Sequence, residues 1–194
     1  MKKIYLLTIS FFAFLLSNGQ SERMVLVEHF TNASCGPCAA YNPGVQAILD
    51  DSQNDGRITS IKYQWYFPGY DPMHDHNPGQ ANTRTSYYGI NGVPTTNLGG
   101  DYWQDNASLF TQAMVDSMKN LTSPLEIDLS HSFNENMDEI NVEMKIKATG
   151  TIPANAIAHI VIIEKEINFN GAPGSNGERD FYNVMKRMLP GTNG

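Results

Sequence analysis

Cysteine is nearly absent. The 194 residues hold two, Cys35 and Cys38, separated only by Gly36 and Pro37. So small a supply excludes a disulfide-stapled scaffold, and two further ligands at finger-like spacing are missing for a zinc site. Basic charge is also short: 13 Lys and Arg stand against 20 Asp and Glu, for a net charge of −7 at pH 7. An acidic chain with no basic cluster suits neither nucleic acid nor an anionic membrane surface. Long apolar runs are scarce as well. Residues 4–16 form the single sustained run, too short to span a bilayer comfortably. The glycine-rich stretch 171–177 carries no phosphate-binding pattern and reads as a linker.

What is present begins at the amino terminus. Met1-Lys2-Lys3, the apolar run 4–16 and the small residues Ser17-Asn18-Gly19 have the layout of a secretory signal peptide over residues 1–19. Cleavage is expected near Gly19–Gln20; a retained membrane anchor is the alternative. No cysteine precedes residue 35, so a lipid-anchored mature end is not available. Loss of Lys2 and Lys3 leaves 11 basic against 20 acidic side chains, a charge of −9. Export places the protein in the periplasm or cell envelope, with outer-membrane association as a further expectation.

The cysteine pair sits where a strand-like run, residues 24–30, gives way through a polar turn, 31–34, to apolar residues at helical spacing: Tyr41, Val45, Ile48 and Leu49. A thiolate in the first turn of a helix meets unpaired N–H groups and the positive end of the dipole, which lowers its pKa. Pro37 fits that first turn, where no backbone donor is needed. Cys38, further inside the helix, is expected to be the less exposed sulfur. The pair can then work in sequence, Cys35 attacking a disulfide and Cys38 resolving the mixed intermediate. A purely structural bridge is the competing reading, but a two-residue loop constrains little of the unfolded chain.

Further along, residues 57–67 read as a second strand, parallel to the first through a right-handed crossover. Residues 68–78 look irregular, 80–88 helical, and 88–98 lead through Pro94 into a third strand. Gly99-Gly100-Asp101 turns the chain into a return strand at Tyr102-Trp103, and 106–121 has the pattern of an amphipathic helix. The order is βαβ, helix, β-hairpin, helix. With Cys-Gly-Pro-Cys, with Pro43 five residues past Cys38 and with Tyr88-Gly89-Ile90-Asn91-Gly92-Val93-Pro94-Thr95, residues 24–121 resemble the α/β thioredoxin-like fold. That resemblance implies that Cys35 is the nucleophile, that Cys38 resolves, and that Pro94 is cis and lies against the sulfurs. It also implies that the Val93 backbone pairs with a substrate chain.

Two positions depart from thioredoxins. Ser34 stands where they carry Trp, and His29, with Glu28 beside it, stands where they bury an acid six residues before the nucleophile. Neighbours on a strand point to opposite faces, so at most one of Glu28 and His29 approaches Cys38, where it could accept the resolving thiol's proton. The alternative is one hydrogen-bonded core residue and one solvated residue. Wider similarity rests on Glu28-His29-Phe30-Thr31, Asp71-Pro72-Met73 and Tyr87-Tyr88-Gly89. These, and the residue 17–20 junction, are similar to the outer-membrane-protein-twenty-eight-related family of Bacteroidetes, in which a thioredoxin-like domain precedes a β-rich region. Met73-His74-Asp75-His76 has copper-ligating residue types, but a flexible polar loop explains it as well. His131 and His159, among strand residues, read as packing or surface positions.

Beyond residue 121 the composition shifts. Residues 125–130 and 140–147 alternate apolar and polar as a hairpin, 156–169 form a third strand and 181–189 a fourth. Residues 122–194 are therefore expected to open an immunoglobulin-like sandwich, short of strands and completed by further chain or by another molecule. The function expected is thiol–disulfide oxidoreduction on protein disulfides through Cys35 and Cys38. Pro94 shapes the groove, while Gly36, Pro37, Val93, Glu28 and His29 support it. No metal or cofactor is required. The partners are protein thiols and an upstream redox protein, with the direction of electron flow open. The competing class is a non-enzymatic envelope protein that uses the thioredoxin-like unit as a binding platform.

Overall fold

The computed structural model describes residues 21–194; the expected signal peptide lies outside the described residues. Strand β1 (Ser21–Glu22) is followed by β2 (Val25–Thr31), helix α1 (Gly36–Leu49) and β3 (Ile58–Gln64). Helices α2 (Pro72–His76) and α3 (Pro78–Tyr87) lead to strands β4 (Thr95–Leu98) and β5 (Trp103–Asn106), then to helix α4 (Gln112–Lys119). The order expected for residues 24–121 is thus realised. Two local differences have simple causes. The Asp71 carboxylate accepts from the N–H groups of Met73 and His74, and this cap starts a one-turn helix in the stretch read as irregular. Residues 107–109 form a 3₁₀ turn capped by Asn106, so the last helix begins only at Gln112.

Strands β6 (Thr122–Ser123), β7 (Leu125–Phe133), β8 (Ile140–Ala148), β9 (Ile160–Asn168) and β10 (Asp180–Leu189) complete the chain. The main sheet runs β5-β4-β2-β3-β10-β9. Seven register pairs join β2 parallel to β3, from Val25↔Ile58 to Thr31↔Gln64, and β10 lies on the far side of β3, also parallel. This corrects the expected immunoglobulin-like sandwich over 122–194. Of its four long strands, β9 and β10 extend the first sheet, while among the described residues β7 and β8 pair only with each other; the short β6 pairs with β1.

The reason lies in the apolar side chains of β10. Asn183 adopts a left-handed φ of 54° and a bulge falls between Met185 and Arg187, so Phe181, Val184, Met185 and Met188 are all buried. Met185 and Met188 pack with Phe30, Tyr63, Ala81 and Ile90, whereas Phe181 and Val184 pack with Ala33 and Met73. A third cluster of Val25, Val27, Val45, Leu98, Phe110, Val115 and Met118 joins β2 to α1 and α4. Burial of this kind stabilises by about 25 cal/mol per Å² of apolar surface. The β7–β8 ribbon, by contrast, leaves Ile127 61% and Leu129 56% exposed. No helix of the described residues is long and apolar enough to cross a membrane.

These packing differences make a test. Thr149 N–H already donates to the Pro124 carbonyl at 2.8 Å, so a two-glycine turn can replace residues 125–148. That excision is expected to change the unfolding free energy by less than about 1 kcal/mol, because the ribbon shares little core with the sheet. Residues 21–121 alone lack the strand that covers β3 and are expected to show no cooperative urea transition. Equal stability of both shortened chains would contradict the sheet assignment.

Candidate redox site

The site grows from the end of β2. Asn32 turns the chain: its Oδ1 accepts from Ser34 N–H at 2.7 Å, and its Nδ2 donates to the Trp65 and Gly69 carbonyls at 2.6 and 2.9 Å. Ala33 N–H donates to the Asp71 carboxylate at 2.8 Å. Burial pushes the Asp71 carboxyl up, while N–H donors from Ala33, His74 and Met73 oppose that shift. Cys35 caps α1, its Sγ accepting from Cys38 N–H at 3.1 Å, and Pro37 occupies the first turn as expected.

Cys35 and Cys38 are joined in a disulfide. Cys38 is fully buried, and Cys35 is only 1% exposed, so both sulfurs lie below the surface while Gly36 and Pro37 are exposed. The expected contrast in exposure between the sulfurs is therefore almost nil. The Val93–Pro94 bond is cis, Pro94 is buried, and the Val93 carbonyl oxygen lies 3.6 Å from Cys35 Sγ.

Glu28 and His29 point to opposite faces. Glu28 turns toward α3, where Arg84 grips it through Nε at 2.8 Å and Nη2 at 3.1 Å and where the Tyr88 hydroxyl donates to it. Burial raises the Tyr88 and Tyr63 hydroxyl pKa values, with the Glu28 charge adding to the effect. His29 faces α1. Its Nε2 lies 2.8 Å from Asn42 Oδ1 and its Nδ1 2.9 Å from Thr96 Oγ1, which occupies both ring nitrogens. Burial, with the nearby Lys62 charge, drives its pKa down to about 3, so the imidazole is neutral at pH 7. His29 meets the residue one helical turn past Cys38; neither nitrogen is left to serve the Cys38 thiol.

Several residues unread in the sequence join here. Asn42 also donates to Thr31 Oγ1 at 3.0 Å and to Glu178 Oε1 at 2.8 Å. Its i+4 spacing from Cys38 was the available signal. Lys62, opposite His29 in register, is buried and donates to Gln46 Oε1 at 2.7 Å. Burial lowers its pKa to about 8, against the raising effect of Glu178 and Asp50. A cavity of about 620 Å³ behind α1 is lined by Asn42, Gln46, Lys62, Gln64 and Glu178. The copper-like stretch does not assemble: Met73 lies in the core, His74 Nε2 pairs with Asn82 Oδ1 at 3.1 Å, and His76 is exposed. Among the described residues no group of three or more His, Cys, Asp or Glu side chains is placed to hold a metal.

No protein-family model matches the chain, and no curated protein matches it. Solved structures do. HBP35 of Porphyromonas gingivalis is similar with a TM-score of 0.67 and 16% identity over 90% of this chain, which spans 59% of that one. A protein from Agrobacterium tumefaciens is similar with a TM-score of 0.54 and 15% identity, covering 88% of this chain and 73% of its own. At such identities the likeness is one of fold.

The two shifted groups make opposite predictions. Unfolded His29 takes a proton below pH 6.5, but the folded protein holds it neutral down to about pH 3, so stability present above pH 6.5 is lost as pH falls through that window. His29→Gln is expected to flatten this acid loss in urea titrations between pH 4 and 7. Lys62 is held below its ordinary value of 10.5, so its burial as a cation opposes folding below about pH 8. Lys62→Met is expected to raise stability at pH 7 by about 1–3 kcal/mol, with the gain fading above pH 8. A loss of stability in that variant would mean that the Gln46 bond outweighs the desolvation.

Proposed function

We propose that the protein is an exported thiol–disulfide oxidoreductase of thioredoxin-like fold that acts on protein disulfides in the cell envelope. The observation that carries this reading is the Cys35–Cys38 bond at the start of α1 with the Val93 carbonyl, next to cis Pro94, 3.6 Å from Cys35 Sγ. A disulfide closing so short a loop adds little to fold stability, so its value is chemical. In the reduced form, Cys35 attacks a substrate disulfide. A mixed disulfide forms and the substrate's second sulfur leaves as a thiolate; Cys38 then attacks Cys35 Sγ, closing the Cys35–Cys38 bond and releasing the substrate's first sulfur as a thiolate. Cys35 owes its nucleophilicity to the N–H groups of the first turn of α1, with Cys38 N–H already directed at its sulfur at 3.1 Å. Val93 offers backbone for a substrate strand, Gly36 and Pro37 form the exposed lip, and His29 and Glu28 fix the strand beneath α1. The leader-like residues 1–19 and the resemblance of the sequence to an envelope family support the envelope assignment.

A second reading, a non-enzymatic binding platform, is favoured by two observations: both sulfurs are buried, and the β7–β8 ribbon exposes an apolar face. A glutathione or dithiothreitol redox titration of the chain from Gln20 onward, read by thiol alkylation, separates the two. The oxidoreductase is expected to show a reversible two-electron couple, and its Cys38→Ser variant to trap a mixed disulfide that Cys35→Ser does not. A bridge that resists reduction, or a Cys35 that traps nothing, would leave the platform.

A further inference from the structure

The glycine-rich stretch that read as a linker lies across the redox motif. It is the central part of the connection between β9 and β10, closed at its base by Phe169 N–H donating to the Arg179 carbonyl at 3.0 Å. Its Asn176 N–H donates to the Ala33 carbonyl at 3.1 Å, and Asn176 Nδ2 donates to the Asn32 and Cys35 carbonyls, each at 3.2 Å. Ser175 N–H donates to Ser34 Oγ at 3.1 Å, while Ser34 Oγ itself donates to the Tyr70 carbonyl at 2.6 Å. Glu178 continues the contact by accepting from Asn42 on α1. Gly174 sits so close that a Cβ there would lie 2.2 Å from the Ala33 carbonyl oxygen, a distance no side chain tolerates. Residues 32–35 are therefore walled by this strap on one side and by the Gly69–Tyr70 segment on another, while the Val93 carbonyl lies against the sulfur. The open approach to Cys35 runs over Gly36 and Pro37, which carry no bulky side chain and are exposed.

We propose that the β9–β10 strap selects which thiols exchange with the Cys35–Cys38 bond: small thiols enter past Gly36 and Pro37, and a polypeptide thiol must first lift the strap. The selection follows from what each reactant needs. A thiolate attacking Cys35 Sγ forms the new S–S bond as the Cys35–Cys38 bond breaks, and the electron pair goes to Cys38 Sγ, which takes up a proton. A second thiol of the same donor then displaces Cys35, so the donor ends as a disulfide and the protein as a dithiol. A small dithiol needs room for little more than its own sulfur. A polypeptide must also lay its backbone beside the motif, where the strap holds residues 32–35. The protein partner it fits is one whose own backbone replaces the Asn176 hydrogen bonds as it docks.

This inference rests on the oxidoreductase reading, and the test separates the two. The full chain and its Asn176→Ala and Gly174→Val variants are reacted, as disulfides, with dithiothreitol and with reduced, unfolded pancreatic ribonuclease. Disulfide opening is followed by acid quenching, alkylation and mass spectrometry. Asn176→Ala removes four side-chain bonds, to the Asn32 and Cys35 carbonyls and to the Glu178 carboxylate and N–H, while adding no bulk, and so guards against misfolding of the valine variant, with circular dichroism as the check on each. Both variants are expected to open at least about 10-fold faster with ribonuclease and less than about 3-fold faster with dithiothreitol, given the usual contribution of such hydrogen bonds. Equal acceleration with both donors, or none with either, overturns the selector while the couple itself stands. A bond that neither donor opens in any variant overturns the oxidoreductase reading and the selector with it.

Discussion

The Ala33 peptide unit is held from both sides. Its N–H donates to Asp71 and its carbonyl accepts from Asn176, so a turn with no regular secondary structure of its own is buried with its polar groups satisfied. The placement of Cys35 depends on this clamp. Without partners, each group would cost the desolvation penalty of an unpaired donor or acceptor, about 1–3 kcal/mol. The two partners come from the α2 cap and from the strap between β9 and β10, segments about 40 and about 140 residues after the turn. That explains why β9 and β10 belong to the sheet rather than to a separate sandwich. Their connection reaches the redox motif only because β10 runs beside β3.

Beneath the motif, polarity is arranged by face. One face of β2 buries Glu28 against Arg84 and Tyr88; the other buries His29 between Asn42 and Thr96. A buried carboxylate is tolerable with a bidentate guanidinium, and a buried imidazole is tolerable when neutral with both nitrogens bonded. Where thioredoxins bury an acid, this chain therefore places a group that carries no charge at pH 7. Lys62, opposite it, is a buried cation held by one amide oxygen, by the Tyr182 ring at 5.7 Å and by the charges of Glu178 and Asp50.

Much of the main sheet was legible because its signals are local. An alternating or apolar run marks a strand, Cys35 followed by Pro37 marks a helix start, and Gly99-Gly100 marks a turn; each works within a few residues. The redox pair was legible for the same reason. The failures share the opposite property. Phe181, Val184, Met185 and Met188 fall at helical spacing within a strand, because Asn183 and the bulge shift which side chains face inward. The short alternating strands of residues 122–194 then matched a sandwich as well as a sheet extension.

Chemistry followed the same division. The close sulfur pair was written in Cys35-Gly36-Pro37-Cys38, since both cysteines and the helix start occupy four consecutive positions. Access to that chemistry was not. How the turn at residues 32–35 is held depends on Gly174 and Asn176, and a glycine chosen for close approach looks like one chosen for flexibility until its neighbour is known. Pairing between β10 and β3, some 120 residues apart, carries no mark in either segment, because a strand edge accepts any partner of suitable register and burial. Local residue order therefore specified the elements and the reactive pair, while long-range packing set which face His29 and Glu28 occupy and what lies over the sulfurs.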